Sequence, residues 1–398
     1  MIKSVRNTGL PQASNYRWAV LFACFFAFVA FAFVFQLAPP LISTIQSDFD
    51  LTESQAGLLM SAVMVPGIFL ALPAGLVINR FGFRLTGFLA LISVAVGSLA
   101  TALANTFQVA LLGRLVVGVG GAFIIVGTPT LIPQWFSHKD LGKAMGIYGT
   151  NMPVATIAAF PVATMLVQSR GWQYPFYVGA VIAVLAAAVL VLVVKEGPFG
   201  SGRHKRIQGS MLKQAMKNGE VWKAGVTWAC FNITAIAFLS WAPTLFQEFK
   251  ALDSFSSSVL ASVLMYAAIG FVPFFGWASD RLERRKPFVV SSGVLMALSL
   301  VASAYTVGSV LVLSIIILGI SAAMIPPMVM AIPAENLPSN LAGTGFSIIT
   351  LCQNLGTALS APLAGYFLQL TKSLEFTFFG VALFAFAGAV VGLTLKTR

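Results

Sequence analysis

Charge is scarce in this chain. Of its 398 residues only 9% are Asp, Glu, Lys or Arg, where a soluble domain carries about 25%. Hydrophobic residues make up 58%, and the mean hydropathy is +0.90. So little polar surface cannot cover a water-soluble fold, and so much apolar surface excludes a disordered one. Histidine occurs twice (His138, His204) and cysteine three times (Cys24, Cys230, Cys352). That is too few for a metal-ligand cluster, and an odd cysteine number is no disulfide framework. The cysteines fall in apolar segments and read as small buried hydrophobes. There is no Walker sequence and no Ser-His-Asp set able to meet on one side. No enzyme class, metal or cofactor is indicated. Acidic residues are rarest of all, 12 against 24 basic ones, for a net charge of +12.

What is present is apolar sequence in long runs. A helix needs roughly 20 apolar residues to cross a bilayer. Twelve runs meet that length, near 18–42, 55–78, 85–104, 107–131, 143–167, 173–194, 223–246, 256–279, 287–307, 309–331, 343–369 and 375–395. The first is longer than the apolar region of a signal peptide and lacks a clear cleavage site, so it reads as a retained helix.

The basic residues are sorted by these runs. With the N-terminus in the cytoplasm, twenty Lys and Arg fall in cytoplasmic segments and three, Arg170, Lys250 and Lys372, on the other side. This is a strong positive-inside asymmetry. It makes the net charge a topological address, not a nucleic-acid footprint, and places both termini in the cytoplasm. A bacterial-type inner membrane is the expected location. The longest polar stretch, 195–222, is rich in Gly, Ser, Lys and Arg. It reads as a cytoplasmic linker between a six-helix bundle at 1–194 and a second at 223–398.

The halves carry an internal repeat. Gly75-Leu-Val-Ile-Asn79-Arg80-Phe-Gly82-Phe-Arg84 follows the second run, and Gly276-Trp-Ala-Ser-Asp280-Arg281-Leu-Glu283-Arg284-Arg285 follows the eighth, 201 residues on. Gly142 with Pro161, and Gly343 with Pro362, repeat at the same offset. Parallel repeats with a site between them near the midplane are a plan of secondary transporters.

These residues resemble the major facilitator superfamily across essentially the whole chain. The resemblance rests on twelve spans in a six-plus-six layout, the glycine- and arginine-bearing loop after span 2, and Arg114-Leu-Val-Val-Gly118-Val-Gly120-Gly121 in span 4. It implies an all-α membrane fold of two pseudo-symmetric six-helix bundles that work by alternating access, as a monomer. It also implies a gating role for Gly75, Asn79, Arg80, Gly82, Arg84, Gly276, Asp280, Arg281 and Arg285. In the family pattern an Asp stands at the Asn79 position and caps helix 11 when the cytoplasmic side closes. Asn79 still accepts a hydrogen bond but brings no charge, so this latch is expected to be weaker than its repeat at Asp280, whose target by symmetry is the start of helix 5 near Gly142. The antiporter signature of span 5 is reduced to Met152-Pro153.

Arg114 is the sharpest single residue. It lies about 10 Å into span 4 at 1.5 Å per residue, and no Asp or Glu lies deep within any span. A charge at that depth costs at least a few kcal/mol unless paired or hydrated. Two roles remain open: contact with an anionic substrate or the coupling step, or bonding to backbone carbonyls. Gln36, Asn151, Asn232, Gln353 and Asn354 are the other polar groups near the midplane, either substrate contacts or interhelical hydrogen bonds. Trp241, Tyr266 and Tyr148 are cavity-lining or packing aromatics. The expected solute is a small organic or inorganic anion, in the style of anion and cyanate-like porters. The arginines that nitrate-porter signatures place in spans 2 and 8 are absent. Efflux of amphipathic drugs is the alternative, favoured by the Phe-rich span 1. Sugar or amino-acid uptake, and a non-transporting receptor on the same fold, complete the set.

Overall fold

The computed structural model describes residues 15–136, 138–195, 216–282, 284–337 and 341–396. Most of the expected linker lies outside these residues, as do Lys3, Arg6, His204, Glu283 and Arg398. All regular structure among the described residues is helical. In hydrocarbon every backbone N–H and C=O must be satisfied within the protein, and a helix does so inside a single segment.

Eleven helical runs are long and apolar enough to cross a membrane: Tyr16–Phe49, Glu53–Ala71, Phe83–Ala102, Phe107–Gln134, Asp140–Arg170, Gln173–Val193, Gly219–Lys250, Ser254–Leu282, Lys286–Tyr305, Gly308–Pro333 and Leu374–Leu393. The twelfth helix, Ala342–Thr371, has the length, but Gln353 and Asn354 dilute its apolar character at mid-length. They are numbered here as spans 1 to 12, with Ala342–Thr371 as span 11. Several extend past their expected ends because a helix continues beyond the apolar run. Span 7 begins at Gly219, capped by the Asn218 side chain.

The packing follows the repeat. Span 3 lies against spans 4 and 6, span 1 against 5 and 6, and span 2 against 4; span 9 likewise lies against 10 and 12, span 7 against 11 and 12, and span 8 against 10. The hairpin turns repeat too. Asp50 and Ala251 end spans 1 and 7 with φ of 51° and 52°, and Gly171 and Lys372 end spans 5 and 11 with φ of 94° and 48°. Thr52 and Asp253 then accept a hydrogen bond from the backbone three residues on, at Gln55 and Ser256. The members of each pair are 201 positions apart. Left-handed backbone costs a non-glycine residue about 1–2 kcal/mol, so its recurrence at Asp50 and Ala251 marks a shared turn geometry, while Gly171 and Lys372 share a positive φ but differ in ψ, 165° against 33°.

The two faces of the molecule differ. On the face away from the basic loops, the far face, the bundles are joined. Lys372 pairs with Glu53, Ser54 donates to Gln369 at 2.7 Å, and spans 2 and 11 touch backbone to backbone. A Cβ on Gly57 would sit 2.4 Å from the Ala361 carbonyl oxygen. On the basic face the ion pairs among the described residues stay inside one bundle: Arg17 with Asp140 at 2.7 Å, Lys223 with Glu220 at 2.8 Å, and Arg285 with Asp280 and Glu335 at 3.1 and 2.6 Å. A Cβ on Gly142 or Gly146 would meet nothing within 4 Å. The cleft between the bundles is therefore closed at the far face and opens on the basic face.

Gly57→Val places a side chain where the two backbones meet. It is expected to shift the population toward a far-open state. Spin labels at Ser47 and Thr371 read this as a longer distance by electron–electron resonance; an unchanged distance distribution would contradict it.

Candidate transport site

Arg114 is fully buried. Its guanidinium donates to four backbone carbonyls: Val34 and Phe35 at 2.8 Å each, Leu59 at 3.3 Å and Met60 at 3.4 Å. It also lies 6.0 Å from the centre of the Phe176 ring. These carbonyls need a donor. Span 1 breaks at Leu37, between helices Tyr16–Gln36 and Ala38–Phe49. Pro39 has no N–H to return to the Phe35 carbonyl. In span 2 the helix Glu53–Ser61 tightens into a 3-10 turn at Ala62–Met64, and such a switch releases carbonyls just before it. The planar fork of an arginine reaches both breaks at once. Of the two roles open to Arg114, this conformation displays the carbonyl one; the side chain presents no surface to the cleft.

The structure also relocates three other expected contacts. Gln36 is buried, and its amide donates to Thr156 Oγ1 at 2.8 Å, tying span 1 to span 5 within one bundle. Trp241 is fully buried and donates to the Ala361 carbonyl at 2.9 Å. It packs beside Gly365, whose own Cβ position is taken by the Glu53 carbonyl, so it belongs to the far-face seal and not to the cavity wall. Tyr266 is 52% exposed. On the wheel of span 8 it shares a face with Gly270 and Trp277, opposite the buried Ser258, Ala261 and Met265. It points away from the cleft because the bundle interface occupies the other side of that helix.

The remaining polar residues form two groups at mid-membrane depth. In the first bundle Tyr148 and Thr128 hydroxyls are 2.5 Å apart, with the Asn151 side chain close to the same phenol. Phe28 packs edge-on against Tyr148 at 5.9 Å. In the second bundle Asn232 donates to the Trp228 carbonyl at 2.7 Å and accepts from Thr357 at 3.4 Å. Gln353 and Asn354 follow on span 11, and neither side-chain amide has a hydrogen bond among the described residues. The two groups belong to adjoining surfaces. Ala358 of span 11 packs on the core that contains Tyr148, and a Cβ on Gly67 of span 2 would lie 3.0 Å from the Asn354 amide nitrogen. Trp228 was not legible as a site residue. Its indole N–H is buried without a partner, and its ring stacks on Phe231 at 5.0 Å. The one available sign was its place a turn before Asn232. Buried donors without partners are rare and call for an explanation such as a ligand or water.

The loop motifs remain within their own bundles. Arg84 donates to the Val191 carbonyl at 2.9 Å, and Arg80 lies over Phe81 at 5.3 Å. Gly82 takes a φ of 78° between two helices with nothing near its Cβ position, a backbone that favours glycine. Asn79 is exposed, and Gly75 is open but for Val126. In the repeat, Asp280, Arg285 and Glu335 form one ionic cluster, Arg281 covers Trp277 at 5.4 Å, and Gly276 abuts Pro327.

A cleft between repeated bundles, with polar groups at mid-depth and one sealed end, is the architecture of an alternating-access carrier. The Major Facilitator Superfamily model matches residues 23–272 and 251–398. The chain belongs to that superfamily. Among its relatives, the nitrite extrusion protein of Bacillus subtilis (strain 168) is 24% identical over 293 residues, covering 71% of this chain and 72% of that protein. The lysosomal dipeptide transporter MFSD1 of Danio rerio is 23% identical over 391 residues, covering 91% and 83%. A crystal structure of a bacterial homologue of the human lysosomal transporter Spinster, inward-facing and unoccupied, superposes with a TM-score of 0.78 over 96% of this chain and 95% of that one, at 16% identity. The fold and the class of activity, membrane transport by a non-enzymatic carrier of small molecules, follow from the family.

Arg114→Lys keeps the charge but replaces a planar fork by a single ammonium that cannot span both breaks. Hydrogen bonds to charged groups contribute about 1.5–3 kcal/mol each, and a net loss of about 3 kcal/mol is expected. Reversible unfolding in mixed micelles measures it; a variant as stable as wild type would refute the bridging role.

Proposed function

We propose that this carrier moves a small anion by alternating access, with the basic face cytoplasmic in an inner membrane and both termini on that side. The halves at 1–194 and 223–398 act as rocking bundles joined by the 195–222 linker, in a monomer. The conformation here is then inward-open. The observation that carries the anion reading is electrostatic. Arg114 is the one charged side chain buried among the described residues, and no carboxylate accompanies it. Carbonyl dipoles satisfy its N–H groups but leave its net charge, and a low-dielectric wall projects that charge into the cleft. The amides of Gln353 and Asn354 and the Trp228 indole supply donors for anion oxygens. The nitrite-exporting relative and the dipeptide-carrying one, whose substrate bears a carboxylate, support the same class.

A second reading, export of amphipathic compounds, is favoured by a run of aromatic contacts along span 1. Phe28 meets Tyr148 and Phe31, and Phe31 stacks on Phe35 at 6.5 Å. Proteoliposome uptake separates the two. Labelled nitrite, formate and a dipeptide are compared with the lipophilic cation ethidium. Wild type is expected to take up at least one of the anionic or carboxylate-bearing solutes. Arg114→Gln is expected to lose that uptake about tenfold, equivalent to about 1.4 kcal/mol, and Asn354→Leu to weaken it without loss of fold. Ethidium transport with no anion transport would overturn the anion reading.

The gate at the basic face has its own consequence. Asp280 is held by Arg285 while the cleft is open, and Asn79 makes no side-chain hydrogen bond among the described residues. Asn79→Asp adds a charge at the start of helix 11 on closure, worth about 0.3–1 kcal/mol. Cysteine cross-linking across the basic face is expected to rise in this variant; equal yields would show that the first latch contributes nothing.

A further inference from the structure

Outside the central cleft the second bundle carries a groove of about 450 Å³ at its far face, within the range of about 300–1,000 Å³ typical of ligand sites. It lies between span 8, through Phe255, Val259 and Val263, and span 10, through Gly308, Leu311 and Val312. Lys250, at the end of span 7, stands at its rim. The groove opens on the lipid side. Val259 lies on the face of span 8 away from its buried side, and of the lining residues Phe255, Val307 and Val312 are 38–68% exposed. An apolar slot in that position is bathed by acyl chains and not by water. From Phe255 to Val263 it runs about 12 Å at 1.5 Å per residue, close to the roughly 15 Å of one leaflet in a hydrocarbon core of about 30 Å.

Its rim is polar: Lys250 and Ser256 line it, and Ser256 is bonded to Asp253 beside it. The Lys250 ammonium donates to the Ala304 and Thr306 carbonyls at 2.8 and 2.7 Å, which leaves one of its three N–H donors for another acceptor. Asp253 is exposed three residues on. It accepts from the Ser256 backbone at 3.0 Å, and the Ser256 hydroxyl and N–H hold its carboxyl below the usual range, so it is ionised. Glu375, the acid whose charge acts on Lys250, is engaged by the Ser373 hydroxyl at 2.5 Å.

We propose that this groove binds one phospholipid of the far leaflet with a primary-ammonium headgroup, of the phosphatidylethanolamine type. One acyl chain lies between spans 8 and 10, the phosphate accepts from the free Lys250 N–H, and the headgroup ammonium donates to Asp253. A purely anionic headgroup would leave Asp253 facing like charge. A quaternary ammonium would offer Asp253 no N–H.

Native mass spectrometry of the full chain from micelles doped with phosphatidylethanolamine, phosphatidylglycerol or phosphatidylcholine tests this. Wild type is expected to retain one phosphatidylethanolamine under activation that strips the other two. Val259→Trp fills the slot without touching Lys250 and is expected to abolish retention. Lys250→Gln is expected to lower it roughly fivefold, the equivalent of about 1 kcal/mol per basic residue at a membrane surface. Asp253→Asn, which still caps span 8, is expected to erase the preference over phosphatidylglycerol. Retention by Val259→Trp equal to wild type, or equal retention of all three lipids by wild type, would overturn the proposal. Because the groove lies away from the cleft, neither result depends on the transported solute.

Discussion

A guanidinium inside a bilayer has to be satisfied where neither water nor a carboxylate reaches it, and Arg114 meets that demand by holding the backbone itself. Its four carbonyl partners belong to the two places where spans 1 and 2 depart from regular helix. The dependence is mutual. Without the breaks the arginine would have no acceptors, and without the arginine the breaks would leave carbonyls bare in hydrocarbon. The segments beyond the breaks, Ala38–Phe49 and Glu53–Ser61, are the ones that carry the first bundle's part of the far-face seal. Glu53, Ser54 and Gly57 sit there. The charge in span 4 thus sets the position of a gate that it does not touch.

The two bundles share a plan but not this device. At the position 201 residues after Arg114 stands Ile315, fully buried. Correspondingly, spans 7 and 8 run as single helices, Gly219–Lys250 and Ser254–Leu282, despite Pro243 and Pro273 within them. The repeat shows most clearly in the turns, where left-handed caps recur. It fades in the membrane interior, where each bundle has specialised. The first bundle contributes charge and an aromatic wall. The second contributes amides and a buried indole.

Hydropathy and charge sorting made the twelve spans, their bundle assignment and the class of activity legible, because each follows from a sum over many residues. Single-residue roles were less so. For Gln36, Trp241 and Tyr266 the position along a helix was legible but not the facing, since facing depends on which neighbour the helix packs against. Gln353 and Asn354 were read as candidate site residues for their polarity, and among the described residues their side-chain amides make no hydrogen bond. Trp228 was passed over because its signal is a missing hydrogen bond, which no sequence displays.

Length, apolar runs, basic loops and a 201-residue offset by themselves determined a membrane protein built of two related six-helix bundles, because the bilayer leaves the backbone no other economical solution. Tertiary structure alone decided that the cleft is sealed at the far face, that Arg114 turns to carbonyls and not to the cleft, and that the amides of span 11 make no hydrogen bond among the described residues. Those outcomes rest on contacts between residues far apart in the chain, and they are settled by close packing and hydrogen-bond geometry that composition and periodicity do not encode.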